Sequence, residues 1–193
     1  RRAAEVQRSL LPAAAPAVPG YDVAGACRPS RSVGGDFFDW YTTEGGLQVS
    51  LADAMGKGMG AALIAATVRA VLRSAAGQPD MAQAFGDTCR HLEHDLAHSD
   101  SFVTLFHARL DTADGVVEYV DAGHGLGLHV RADGTDRLRP GGPPVGAVPG
   151  TQWVPGRIVL APGDALVVVS DGLLDAYEDV DDAVRAVADV VSR

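Results

Sequence analysis

Three aspartates in this sequence stand beside glycine or directly after an apolar segment. Asp36 follows Gly34 and Gly35, Asp53 follows the run LQVSLA, and Asp171 follows the run ALVVVS. A sheet can hold a carboxylate rigidly at a strand end, and a neighbouring glycine lets a ligand approach the backbone closely. We therefore expect these three carboxylates to act together.

The chemistry that fits a set of aspartates is the binding of hard divalent cations. Mg²⁺ and Mn²⁺ prefer oxygen ligands, keep several waters and often bridge to substrate phosphate. Two such ions, roughly 3.5 to 4 Å apart, can activate a water and clamp a phosphoryl group. Each aspartate alone would be interpreted as a turn or cap residue, so the metal hypothesis depends on the joint pattern.

Four segments have the apolar spacing of helices and could support these aspartates. Residues 3–11 are typical of the last turns of an amphipathic helix, which Pro12 stops. Residues 61–76 predict a buried helix and residues 81–97 a helix on the core surface. Valines at 180, 184, 187 and 191 predict a final helix.

Strand patterns occupy much of the remaining chain. The predicted strands are 21–27, 37–41, 47–52, 102–110, 116–121, 127–131, 153–160 and 165–170, with 37–41 and 47–52 forming a hairpin. Strands, then two helices, then mostly antiparallel strands indicate an α+β domain with helices packed over sheets.

Bulk properties narrow the function classes. The 193 residues suit a single domain, and the formal net charge of -9 makes nucleic acid an improbable partner. The longest apolar stretch is interrupted by Arg69 and Arg73, which excludes a membrane span. Cys27 and Cys89 are far apart and without CxxC spacing, so we expect a reducing cytoplasm.

Five blocks of this sequence occur together in the order found in one enzyme family. They are VGGDFFDW, LADAMGKGMGAAL, YVDAGHGLGL, GPPVGAV and PGDALVVVSDGLLDA. Because these five blocks occur in that order, the chain resembles the bacterial metal-dependent protein phosphatases of the PPM (protein phosphatase 2C-like) type. The nearest branch is that of the sporulation stage II E and stress-response sigma-regulator phosphatases. The likeness runs from about Gln7, in the Q-x-x-LLP segment, to about Tyr177.

The resemblance implies a fold, a metal centre and a reaction. The fold is a β-sandwich of two packed, mainly antiparallel sheets flanked by helices. Asp53 would bridge two Mn²⁺ or Mg²⁺ ions, with Asp36 on one ion, Asp171 on the other and the backbone carbonyl of Ala54 as a further ligand. A metal-activated water would then hydrolyse phosphoserine or phosphothreonine directly.

The chain also departs from the family pattern. Family members usually end with a strand that supplies a fourth acidic ligand, and none follows here. Asp181 and Asp182 resemble that acidic doublet, but we interpret them as residues at the start of the final helix. Met55 stands where some eukaryotic relatives have a proton-donating histidine. We divide the chain into 1–12, the end of an upstream linker helix, and 13–193, the phosphatase domain.

Several other polar residues are candidates for the site. Arg28, Arg31 and Lys57 could position substrate phosphate, although each could equally be a solvated surface residue. We expect His124, between two glycines, to have a structural role in a turn. The histidines at 91, 94, 98 and 107 are interpreted as an exposed helical face.

Two functions from different classes remain open. The first is a Ser/Thr phosphatase that acts on a phosphorylated anti-sigma-factor antagonist. In this hypothesis an upstream sensor domain regulates the activity, and a homodimer is one way to do so. The second is a phosphatase-like binding module without turnover, because the final acidic ligand is missing.

Overall fold

The computed structural model describes residues 2–28 and 33–191. The helices are α1 (Arg2–Leu10), α2 (Met59–Ser74), α3 (Met81–His98) and α4 (Val180–Val191), with a 3₁₀ helix over Asp171–Ala176. The strands are β1 (Asp36–Thr43), β2 (Gly46–Ala54), β3 (Val103–Asp111), β4 (Val116–Ala122), β5 (Gly127–Arg131), β6 (Gly134–Arg137), β7 (Gly156–Val159) and β8 (Ala165–Val168). No helix within the described ranges is long and apolar enough to cross a lipid bilayer.

These strands form two antiparallel sheets. The larger sheet has the order β1-β2-β3-β4-β7 and the smaller has the order β6-β5-β8. The predicted hairpin is β1–β2, which turns at Gly45 with a φ of 72°, a value that glycine adopts without steric cost. The predicted α+β fold with two mainly antiparallel sheets is confirmed.

Helices cover one face of the larger sheet. Phe37, Leu105 and Val120 on that face pack in one core with residues of α2 and α3, among them Val68 and Phe85. Full burial of a side chain of this size contributes about 1.5–3 kcal/mol, so this layer fixes the helices against β1, β2 and β3.

The opposite face of the larger sheet packs against the smaller one. Successive side chains of a strand point to opposite faces, and Phe106 and Leu110 of β3 therefore belong to a second core. Leu166 and Val168 of β8 pack against that core. The two sheets thus form the predicted sandwich.

Some predicted elements are wrong or too long. The segment 21–27 is not a strand, because Tyr21 makes only an isolated bridge with Val18. The strand predicted over 153–160 is reduced to Gly156–Val159. His107 is not on an exposed helix: it lies on β3, 4% exposed, with its Nδ1 2.8 Å from the Ser50 hydroxyl.

Candidate metal site

The β1–β2 hairpin brings Asp36 and Asp53 together. The strands are antiparallel, so the start of β1 and the end of β2 meet at one end of the sheet, and Asp36 is the register partner of Asp53. Asp36 therefore begins a strand, whereas Asp53 lies near the end of one. Two carboxylates predicted from separate motifs share one edge of the sheet.

Burial, together with the nearby carboxylates, raises the pKa of Asp53 to about 7. The largest cause is burial, followed by a hydrogen bond with the Asp36 carboxyl group and the negative charges of Asp36 and Asp171. Burial and like charge both disfavour the ionised form of an acid. The pair therefore has excess negative charge that a cation would offset.

Asp171 lies at the same end of the molecule but outside this pair. It is the first residue of the 3₁₀ helix that follows β8, it is exposed, and its charge acts on Asp53. In the described part of the chain, no three His, Cys, Asp or Glu side chains form a ready-made group for a metal ion. Of the three predicted carboxylates, Asp36 and Asp53 are therefore paired across two strands. Asp171 influences Asp53 only through its negative charge.

The backbone on either side of the pair is tightly packed. Ala54 is buried, and its N–H donates to the Gly35 carbonyl at 3.2 Å. A Cβ atom on Gly35 would lie 2.3 Å from the Ala54 carbonyl oxygen, closer than any real contact. Gly35 is therefore required for β2 to approach the loop that leads into Asp36.

His124 holds the strand end that leads to Asp171. Its Nε2 lies 2.8 Å from the Val169 carbonyl oxygen, so this nitrogen carries the proton and donates. Burial lowers the pKa of His124, which favours the neutral ring. Gly123 and Gly125 have φ values of 71° and 69°, as the predicted turn role requires.

Asp121 anchors the same turn and was not predicted. It is fully buried and accepts hydrogen bonds from the His124 N–H at 2.7 Å and the Gly125 N–H at 2.9 Å. The usable signal was an aspartate preceding two glycines in DAGHG, a pattern typical of side-chain-capped turns.

A second unpredicted feature is the ion-pair cluster around Asp39. This buried β1 side chain accepts two hydrogen bonds from Arg73, at 2.5 and 2.7 Å. Arg69 Nε lies 3.1 Å from an Asp39 oxygen, although without hydrogen-bond geometry. The signal was two arginines on an otherwise apolar helix, since such residues need a buried partner.

Two of the three basic candidates lie on the surface, and the acidic doublet lies at the start of α4. Arg28 and Lys57 are exposed, and Arg31 lies outside the described residues. Asp181 and Asp182 are in the first turn of α4, as expected, but Asp179 is the capping residue, since its side chain accepts from the Asp182 N–H at 2.8 Å.

Residues 43–192 match the model of the family described as stage II sporulation protein E (SpoIIE). The chain is 26% identical over 205 residues to protein IcfG of Synechocystis, covering 89% of this chain and 32% of the relative. It is 26% identical over 131 residues to the phosphoserine phosphatase RsbU of Bacillus subtilis, covering 66% of this chain and 38% of the relative. The chain thus spans about a third of the length of these two proteins.

Solved structures of similar fold agree with this match. The RsbU and RsbW domains of a Mycobacterium tuberculosis protein align with a TM-score of 0.72 and 28% identity, over 84% of this chain and 46% of that one. The catalytic domain of the serine/threonine phosphatase PstP, solved with two manganese ions, aligns with a TM-score of 0.60 and 15% identity, over 86% and 87%. The second likeness concerns the fold alone. The chain belongs to the family of stage II sporulation protein E (SpoIIE), which confirms the resemblance to that branch drawn from its motifs.

Proposed function

We propose that the chain is a Mn²⁺- or Mg²⁺-dependent phosphatase that hydrolyses phosphoserine or phosphothreonine in another protein. The observation that carries this proposal is the Asp36–Asp53 pair, in which the described neighbours only add to the cost of ionising Asp53. RsbU, one of the relatives, is itself a phosphoserine phosphatase.

The residues present fit a hard dication. All the candidate donors are oxygens, and Mg²⁺ typically binds through one or two carboxylates while it retains waters. Asp36, Asp53, Asp171 and the backbone carbonyl of Ala54 would hold these ions. Such ions, when bound, activate water and stabilise charge on phosphoryl oxygens.

The chain's own residues would hold this arrangement in place. Gly35 allows β2 to pack against the loop before Asp36, and His124 ties Val169 to the turn that Asp121 anchors. Arg28, Arg31 and Lys57 are the cations proposed to attract the substrate phosphate, since arginine and lysine both bind phosphate oxygens.

The proposed substrate is a phosphorylated protein that resembles an anti-sigma-factor antagonist. Support comes from RsbU and from the Mycobacterium tuberculosis structure, which contains RsbU and RsbW domains. The net charge of -9 disfavours nucleic acid as a partner. The proposal also includes an upstream sensor domain that acts through α1. It further includes a homodimer and a cytoplasmic location.

The test is hydrolysis of an aryl phosphate and of a phosphoserine peptide with and without Mn²⁺. We expect activity that requires Mn²⁺, disappears with EDTA and falls at least about a thousandfold in Asp53→Asn, because the site loses its shared ligand. Asp114→Asn is the matched control, since Asp114 is exposed in the turn between β3 and β4. Activity that survives Asp53→Asn would refute the proposal.

One observation favours a second candidate, the binding module without turnover. Asp171 does not complete a three-residue metal group among the described residues. For this candidate we expect the phosphoprotein to bind with no Mn²⁺-dependent release of phosphate, so the same assay distinguishes the two functions.

A further inference from the structure

One side chain of α1 binds the loop that precedes Asp36. Gln7 Nε2 donates to the Gly34 carbonyl at 2.6 Å, and the Gly34 N–H donates to Gln7 Oε1 at 3.1 Å. The amide therefore pairs with both backbone groups of one residue, 27 positions away in sequence. Gln7 is partly buried there.

The residue next to Gly34 in this loop is held by a contact from β2. Gly34 is followed by Gly35, whose carbonyl accepts from the Ala54 N–H, and then by Asp36. Gln7 and Ala54 thus hold adjacent residues of the same short loop. Without Gln7, two successive glycines would leave the approach to Asp36 with wide conformational freedom.

The position of α1 is itself fixed by contacts just after it. Leu11 packs against the core beneath α2 and α3. The indole N–H of Trp40, on β1, donates to the Ala14 carbonyl at 3.0 Å. Gln7 is therefore presented to Gly34 from a helix whose end is anchored to the domain.

We propose that Gln7 is a positioning residue for the metal centre. It fixes the Gly34 backbone, and this in turn fixes the position of the Asp36 carboxylate relative to Asp53. Outer residues that orient metal ligands commonly change metal affinity when they are removed. This inference rests on the proposed function, and it makes the geometry of the Asp36–Asp53 pair depend on where α1 lies.

The two hydrogen bonds should matter more for position than for stability. Fixing a long glutamine side chain costs rotamer entropy, which offsets much of what the two bonds contribute. Loss of Gln7 should therefore weaken metal binding while the melting temperature of the EDTA-treated protein stays nearly constant.

The experiment compares Gln7→Ala with Ser9→Ala, an exposed position on the same helix whose hydroxyl donates to the Val6 carbonyl. Mn²⁺ binding is measured by calorimetry, and exchange of the Gly34 amide hydrogen is measured by NMR after EDTA treatment. For Gln7→Ala we expect about a tenfold weaker Mn²⁺ affinity and faster Gly34 exchange. Ser9→Ala should match the wild type in both measurements.

A second variant separates the two bonds. Gln7→Glu keeps an acceptor for the Gly34 N–H but cannot donate to the Gly34 carbonyl, so we expect protected exchange with weakened Mn²⁺ binding. If both Gln7 variants bind Mn²⁺ within about twofold of a binding-competent wild type, the positioning role is overturned and the proposed function stands. If the wild type binds no Mn²⁺, the metal centre and this role fall together.

Discussion

Two aspartates three residues apart on β1 have opposite electrostatic surroundings. Asp39 is 2% exposed and contacts two arginines of α2, Arg69 and Arg73. Asp36 instead faces Asp53, and the influences on the pKa of Asp53 from the described residues all raise it. The same strand thus carries one neutralised carboxylate and one in a pair of like charges.

The comparison shows how this fold treats buried acids. A carboxylate removed from water is tolerated when a cation accompanies it. For Asp39 the fold supplies that cation from its own sequence. For Asp36 and Asp53 it supplies a second acid, which is unfavourable unless a cation binds from solution. The contrast supports a structural role for the first site and ion binding for the second.

The largest expected effect is the loss of stability when Asp39, the carboxylate paired with arginines, is replaced. Asp39→Asn should lower the free energy of unfolding by about 3 kcal/mol, because it leaves two arginines without their buried partner. Urea unfolding of the EDTA-treated protein measures this change. Asp36→Asn, on the same strand, is the matched variant and should cause no such loss. Equal destabilisation by both substitutions would remove the contrast.

A second effect concerns how the like-charged pair is held. Gly35→Ala should destabilise the protein by about 2 kcal/mol, because the new Cβ would collide with the Ala54 carbonyl and backbone would have to move. Gly34→Ala is the control, since its Cβ would meet nothing closer than 3.9 Å. Thermal unfolding of both variants checks the prediction, and a tolerated Gly35→Ala would contradict backbone packing as the support of the pair.

The smallest expected effect is a gain in stability, in contrast to the loss expected for Asp39→Asn. The pKa of Asp53 is about 7 in the folded protein and 3.8 as its ordinary value. Between these values the folded state binds a proton that the unfolded state has lost, so stability falls as pH rises. In EDTA, Asp53→Asn should therefore be more stable than the wild type by about 1 kcal/mol at pH 8, after discounting for screening. The gain should vanish near pH 4, and unfolding curves at both pH values test this.

The sequence was most informative where one local pattern determined the structure. Helical spacing predicted α2 and α3 closely, and the two short strand patterns at 37–41 and 47–52 predicted the β1–β2 hairpin. The alternating apolar pattern at 21–27 wrongly predicted a strand. A strand needs a partner, and within this segment only Tyr21 pairs, in an isolated bridge. Pattern alone does not indicate whether a neighbouring strand is available.

The site was less predictable than the fold because its contacts join distant segments. Glycines before Asp36 and apolar runs before Asp53 and Asp171 marked these residues, but only strand register shows that the first two meet while the third stays apart. The Gln7–Gly34 and Asp39–Arg73 contacts span 27 and 34 residues. Nothing in the local sequence around either partner specifies the other.

Calorimetric titration of Mn²⁺ into the wild type, Asp36→Asn, Asp53→Asn and Asp114→Asn tests the central claim most directly. We expect the wild type and Asp114→Asn to bind alike, and the Asp36 and Asp53 variants to bind at least about tenfold more weakly. Equal Mn²⁺ affinity in all four proteins, or none in the wild type, would contradict a metal centre at the Asp36–Asp53 pair.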